Sequence, residues 1–206
     1  MPSATHHGKL NFIERFLVNH PLRFLLQKLI DLPVLLNWAR LGRGLSILEA
    51  GCGNGRVARH LSEKLKTRSY TAVDIDPKMV AHAESLTEKN SRLVFQVADL
   101  CNLPFDDRGF DAVVMLDVLH HLQNWKKGVK EIHRALKKGG RLCLREYSIE
   151  TFSFPLLGLL FRTLFDHPYE FMFDQPELLS FIRKNGFEIT HQNDMSWLLM
   201  LVAVKK

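Results

Sequence analysis

Apolar positions along this chain follow two rhythms. From residue 45 onward, short apolar runs alternate with stretches where apolar residues recur every three or four positions. The runs at 45–50, 70–75, 93–98, 110–116 and 141–147 have the length and composition of buried strands. Between them, Val57, Ala58, Leu61 and Leu65 share one helical face. Met79, Val80, Ala83 and Leu86 share a second, and Trp125, Val129, Ile132 and Leu136 a third. Asp76-Pro77 opens the second helix, with proline at the first helical position. Lys137-Lys138-Gly139-Gly140 closes the third, the lysines suiting the negative helix end and glycine the position after it. Such alternation predicts a parallel sheet with helices on both faces. The rhythm changes after residue 148. A helix is expected over 176–185, with Gly186 after it. Strands over 187–192 and 196–204, linked only by Asn193-Asp194-Met195, predict an antiparallel hairpin. The expected fold class is α/β: a doubly wound, mostly parallel seven-stranded sheet ending in an antiparallel hairpin.

The first 44 residues read differently. Phe12, Ile13, Phe16 and Leu17 mark a helical face, which Asn19-His20-Pro21 interrupts because the residue before proline leaves the α region. Leu22, Leu25, Leu26, Leu29 and Ile30 then fit i, i+3, i+4, i+7, i+8. Pro33 is expected to restart a third short helix through Trp38. The domain reading is an N-terminal helical segment, 1–44, and a main domain, 45–206, with an apolar cap insertion at about 148–173.

Composition narrows this picture. With 206 residues, 46% apolar and 24% charged, the chain suits one compact soluble domain. The net charge is +6, and residues 1–44 hold six basic side chains against two acidic ones. That bias favours an anionic surface or substrate, or marks a solvated face. Three cysteines, Cys52, Cys101 and Cys143, show no zinc-type spacing, and no metal site is expected. The reading is a reducing, cytoplasmic compartment. No secretory signal is seen, and no window reaches the ~20 apolar residues that span a bilayer.

The chemistry centres on residues 45–55. An apolar strand breaks into Gly51, Gly53 and Gly55, and a helix follows. Glycines permit the tight turn and a close ligand approach, and the helix start offers unpaired N–H groups. Asp74 lies near the end of the second strand, about 20 residues past the turn, where a carboxylate can accept ribose hydroxyls. Asp99 directly follows the third strand, and Leu116-Asp117 ends the fourth beside the glycine turn.

Together with Val73-Asp-Ile-Asp-Pro77, Ala98-Asp-Leu100, Leu103-Pro-Phe105, Phe110-Asp-Ala-Val-Val114, Leu119-His-His-Leu122 and Leu136-Lys-Lys-Gly-Gly140, this pattern resembles the class I S-adenosylmethionine-dependent methyltransferases. It looks most like their small-molecule, type 11-like branch, and it covers about residues 45–147 plus the hairpin. The resemblance implies a Rossmann-like sheet, S-adenosylmethionine as methyl donor and S-adenosylhomocysteine as product. It implies that the backbone of Gly51, Cys52, Gly53 and Gly55 holds the methionine and ribose portion. Glu49 would face the amino end through water, and Asp74 would hold the ribose hydroxyls. Asp99 would take the adenine amine, with Ile75 and Leu100 sandwiching the ring and Ala98 and Leu116 completing the site. Each acidic residue also has a plainer reading as a turn acceptor or helix cap.

Methyl transfer asks little of side chains, because the sulfonium is already activated; positioning and water exclusion carry it. Asp117, His120, His121, Glu146 and Tyr147 stand near the strand ends as candidate bases, and none is assigned. The two apolar segments flanking one site suggest a lid over a small lipophilic acceptor, or docking on an anionic membrane; alternatively both pack on the sheet. Three other functions compete. A nicotinamide dehydrogenase expects Gly-x-Gly-x-x-Gly, but Arg56 occupies the last position. A nucleic-acid (RNA) methyltransferase suits the basic charge, but Asp117-Val-Leu-His120 lacks the Asn/Asp-Pro-Pro-aromatic signature of base-amino methylation. A non-catalytic S-adenosylmethionine-binding module remains open.

Overall fold

The computed structural model describes residues 20–88, 92–153 and 171–206. Its strands are β1 (Ser46–Ala50), β2 (Ser69–Asp74), β3 (Leu93–Val97), β4 (Phe110–Leu116), β5 (Leu136–Glu146), β6 (Phe187–Gln192) and β7 (Leu199–Lys205). They form one sheet in the order β3-β2-β1-β4-β5-β7-β6. The first five strands pair in parallel, and β7 runs antiparallel between β5 and β6. The chain winds outward from β1 to β3, then returns to place β4 on the other side of β1. That reversal opens a crevice beyond the carboxyl ends of β1 and β4.

Successive strand residues feed two cores, as a period of two requires. Leu48, Ala50, Val113, Met115, Leu142 and Leu144 join Trp125 and Ile132 of α5 (Trp125–Ala135) and Leu178 and Ile182 of α6 (Gln175–Lys184). Ile47, Tyr70, Val114, Leu116 and Cys143 join the other face, with Ala58 and Leu61 of α3 (Arg56–Leu65) and Val80 of α4 (Pro77–Ser85).

Several boundaries differ from expectation. Leu136 does not close α5; it is the first residue of β5, paired with Phe110, and the register then jumps so that Ala112 faces Arg141. Residues 137–140 bulge between these pairs, turned by Gly139 at φ +75°. Lys137 therefore does not cap the helix but bonds Asp111 Oδ1 at 2.5 Å, while His133 and Arg134 hold the last turn. Leu86 is the C-cap of α4 and is exposed, because its helical face ends one residue earlier. The β6–β7 link runs over 193–198, since Leu198 leaves the ladder to bury itself in the core.

The N-terminal part is continuous: α1 (Pro21–Leu26), a π turn (Gln27–Asp31) and α2 (Leu32–Ala39). Pro33 does not interrupt it. Leu32 N–H reaches back to Gln27 O, and this wider turn takes up the bond pattern that proline cannot continue. Leu22, Leu25, Leu26, Leu29 and Ile30 face outward, while Gln27, Asp31, Leu32, Leu35 and Ala39 are buried. The expected helix at 10–18 and Phe154, Phe161 and Phe165 lie outside the described residues. Phe173 is fully buried against Trp125, whereas Phe171 is exposed. No helix among the described residues is long and apolar enough to cross a membrane.

Candidate functional site

The glycine turn hangs on the end of β2. Gly51 N–H and Cys52 N–H both donate to Val73 O, at 2.8 and 2.9 Å. Asp74 completes the attachment: Oδ2 accepts from Gly53 N at 2.8 Å and Oδ1 from Asp76 N at 3.0 Å. One carboxylate thus ties the turn to the strand beside it. Burial raises the Asp74 pKa, against these backbone bonds that favour the charged form. Asp76 caps α4 by accepting from Lys78 N at 2.9 Å.

The glycines differ in what they permit. Gly51 has φ +76°, and a Cβ there would lie 2.3 Å from Val118 Cγ2. Its lack of a side chain lets the segment after β4 close against the turn. Gly53 has φ +52°, but its nearest neighbour would be Met79 Cε at 3.6 Å, so it leaves the crevice open. Gly55 starts α3, and its Cβ would meet Phe95 and Ala83, so its place is in helix packing.

A cleft lies over the carboxyl ends of β1, β2 and β4. Glu49, Gly51, Cys52, Gly53, Asp74, Ile75, Ala98, Leu100 and Leu116 line it; Gly55 and Asp99 do not. Asp99 Oδ1 accepts from Cys101 N at 2.8 Å, and its backbone bridges to Asn102, so it shapes the turn between Ala98 and Leu100. Glu49 is buried and accepts from Tyr70 OH at 2.6 Å. Burial pushes its carboxyl pKa up to about 8, outweighing the Tyr70 bond; the neighbouring Asp74 adds to the rise.

The opposite wall joins residues the motifs did not mark to ones the sequence singles out, Asp117, His121 and Leu122. Arg23, Phe24 and Gln27 of the N-terminal helix line the cleft with Asp117, Val118, His121 and Leu122. Asp117 has φ +60° and a buried side chain. It accepts from Arg23 Nη2 at 2.6 Å and Gln27 Nε2 at 3.3 Å, and pairs with Arg145 Nη1. Arg145 also pairs with Asp31 at 2.7 Å and donates to Tyr147 OH at 3.0 Å. Burial alone would raise the Asp117 pKa, but the Arg145 and Arg23 guanidiniums win and hold it below the usual carboxylate range. The signal for this wall was polar: Arg23, Gln27 and Asp31 recur at i, i+4, i+8 on the face opposite the leucines.

Arg145 and Glu146, being adjacent in β5, point to opposite faces of the sheet. Glu146 is fully buried and accepts from Val118 N, Leu119 N and Tyr147 N at 2.9, 2.6 and 2.9 Å. It also pairs with His120 Nδ1. This carboxylate fixes the short 3-10 turn Leu119–His121, whose His121 ring lies tilted against His120 and reaches the cleft. Among the described residues, no three His, Cys, Asp or Glu side chains group as metal ligands.

Comparison with known proteins agrees with this architecture. Residues 48–144 match the methyltransferase domain family. Over 107 residues the chain is 34% identical to the 27-O-demethylrifamycin SV methyltransferase of Amycolatopsis mediterranei, covering 50% of this chain and 39% of that protein. Over 167 residues it is 29% identical to the demethylmenaquinone methyltransferase of Thermotoga maritima, covering 71% of each. The match spans less than half the length of the first curated relatives. An S-adenosylmethionine-dependent methyltransferase from Mesorhizobium loti shares the fold, with TM-score 0.71 and 17% identity over 85% of this chain and 97% of that one. Sheet order, glycine turn and family match agree: residues 48–144 carry a methyltransferase domain, set in the fold of the S-adenosylmethionine-dependent enzyme from Mesorhizobium loti.

Proposed function

We propose that this chain transfers a methyl group from S-adenosylmethionine to a small lipophilic acceptor. The observation that carries the donor half is the Asp74 carboxylate locking Gly53 at the cleft floor, with the space above Gly53 open. The groups present suit that donor: Glu49 is an anion source for its ammonium, Asp74 an acceptor for its ribose, and Ile75 and Leu100 apolar walls for adenine. Gly51 and Cys52 shape the floor, and Ala98 and Leu116 border it. Asp99 would meet the adenine amine through the oxygen that does not hold Cys101 N, and Gly55 would act by seating α3.

The donor supplies an activated methyl on sulfur. The chain's own part is to aim an acceptor at it and keep water out. On this reading His121, Leu122 and Phe24 form the acceptor side, and residues 1–44 with the 148–173 insertion act as the lid. No base is assigned, in keeping with a transfer that needs positioning above all. The Amycolatopsis and Thermotoga relatives are named for demethylrifamycin and demethylmenaquinone, and a lipophilic acceptor suits a cleft that Phe24, Val118 and Leu122 help to line. Peripheral contact with a membrane, where such acceptors concentrate, belongs to the same reading.

The test is S-adenosylhomocysteine formation, followed by mass spectrometry across quinone-like, polyketide-like, polar and RNA acceptors. Turnover with the lipophilic set is expected. Turnover confined to polar acceptors or RNA overturns the acceptor class. Binding without turnover on any of them favours the non-catalytic module.

A further inference from the structure

The N-terminal helix is packed with its polarity inverted. Its polar face, Arg23, Gln27 and Asp31, points inward and is held by Asp117 and Arg145. Its apolar face points outward, and Leu22, Leu25, Leu26, Leu29 and Ile30 are 47–63% exposed. These five form a stripe two turns long, and such stripes are normally turned to a core. The inward ion pairs fix the helix's rotation, so the stripe cannot roll into the core without breaking buried charge contacts.

Charge identifies what the stripe meets. Across residues 20–44 the sole acidic side chain is Asp31, which is buried against Arg145. Lys28 on the helix and Arg40 and Arg43 just after it are exposed. An apolar stripe flanked only by exposed cations fits the boundary of an anionic bilayer, with aliphatic side chains among the acyl chains and cations at the headgroups. A second copy of the chain would bring the same cations face to face across a twofold contact. Arg23, Phe24 and Gln27 line the cleft from this same helix, so one helix walls the cleft with its inward face and carries the stripe on its outward face.

We infer that the helix spanning Pro21 to Ala39 docks the protein on an anionic lipid surface through Leu22, Leu25, Leu26, Leu29 and Ile30, with Lys28, Arg40 and Arg43 at the headgroups. This rests on the reading of the cleft as an acceptor site for lipophilic molecules, but its test does not use catalysis. The full chain is mixed with vesicles of equal phosphatidylglycerol and phosphatidylcholine, or of phosphatidylcholine alone, and the sedimenting fraction is measured. Wild type should partition onto the anionic vesicles and come off as salt is raised. The double variant Leu25→Gln, Leu29→Gln should lose about tenfold or more in partitioning. Lys28→Ala should lose several-fold on anionic vesicles only. Calorimetry with S-adenosylmethionine on the same variants reads the donor site separately, and unchanged donor affinity is expected. Three results overturn the inference: no partitioning of wild type, unchanged partitioning of the double variant, or a wild-type dimer that the double variant converts to monomer.

Discussion

Glu49 makes the donor site testable through protons. Its carboxyl is buried beneath the glycine turn, and its pKa is pushed up to about 8. At pH 7 about 0.9 of these carboxyls therefore carry a proton. If Glu49 faces the ammonium of S-adenosylmethionine, the added positive charge favours the carboxylate and the proton leaves. The expected release is then about 0.9 proton per ligand at pH 7 and nearly one at pH 6, where the ligand's ammonium keeps its own proton. Apparent affinity should rise about tenfold from pH 6 to pH 7, because the deprotonated fraction rises from about 0.01 to about 0.1 while the ligand's ammonium stays charged. Titration calorimetry in buffers of different ionisation enthalpy counts the protons directly. Glu49→Gln should abolish most of the release. No proton exchange at pH 7, or an equal release from Glu49→Gln, would refute the placement of the amino end at Glu49.

Other expectations follow from the same contacts. Because the folded pKa of Glu49 lies above its unfolded value of 4.5, its contribution to stability is fully present below pH 4.5 and is lost as pH rises toward about 8; Glu49→Gln should flatten a urea-unfolding profile over that window. Gly51→Ala should cost roughly 2–4 kcal/mol in denaturant midpoints, since its methyl meets Val118 at a positive φ. Gly53→Ala should cost only ~1–2 kcal/mol of stability yet lose donor affinity, because its methyl enters the open cleft; normal binding by that variant would move the donor elsewhere. Asp117→Asn should destabilise by about 3–5 kcal/mol, leaving the buried Arg145 and the Arg23 guanidinium short of their counter-charge; a loss below ~1 kcal/mol would show that the pair is not needed to hold the helix.

Legibility in the sequence followed how local each signal is. The central strands β1 and β4 read well because their residues are buried on both faces, and the apolar runs record that directly. The glycine turn and Asp74 were also visible, since about 20 residues of strand-helix-strand fix their spacing. Boundaries failed where a tertiary contact outweighed local pattern. Leu136 continues the helical face of Trp125, Val129 and Ile132, yet its pairing with Phe110 draws it into β5. Lysines suited to a helix end were instead needed at Asp111, as Lys137 shows. The helix's share of the second wall was hidden because the leucine stripe is the louder periodicity in residues 22–30. The quieter stripe of Arg23, Gln27 and Asp31 has meaning only once Asp117 and Arg145 are known to stand together, and they lie 28 positions apart in the chain. Asp99 shows the converse: the motif marked it as a cofactor residue, while the structure commits one of its oxygens to its own turn.

The central claim is that the crevice between the glycine turn and Asp74 holds S-adenosylmethionine. Titration calorimetry of the full chain with S-adenosylmethionine, S-adenosylhomocysteine and NAD, repeated on Asp74→Ala with its fold checked by circular dichroism, tests it most directly. The account predicts saturable binding of both sulfur ligands, no heat with NAD, and a loss of roughly ten- to hundredfold in affinity for Asp74→Ala, from ~1.5–3 kcal/mol of charged hydrogen bonding. NAD binding in place of S-adenosylmethionine, or unchanged affinity in a folded Asp74→Ala protein, would contradict it.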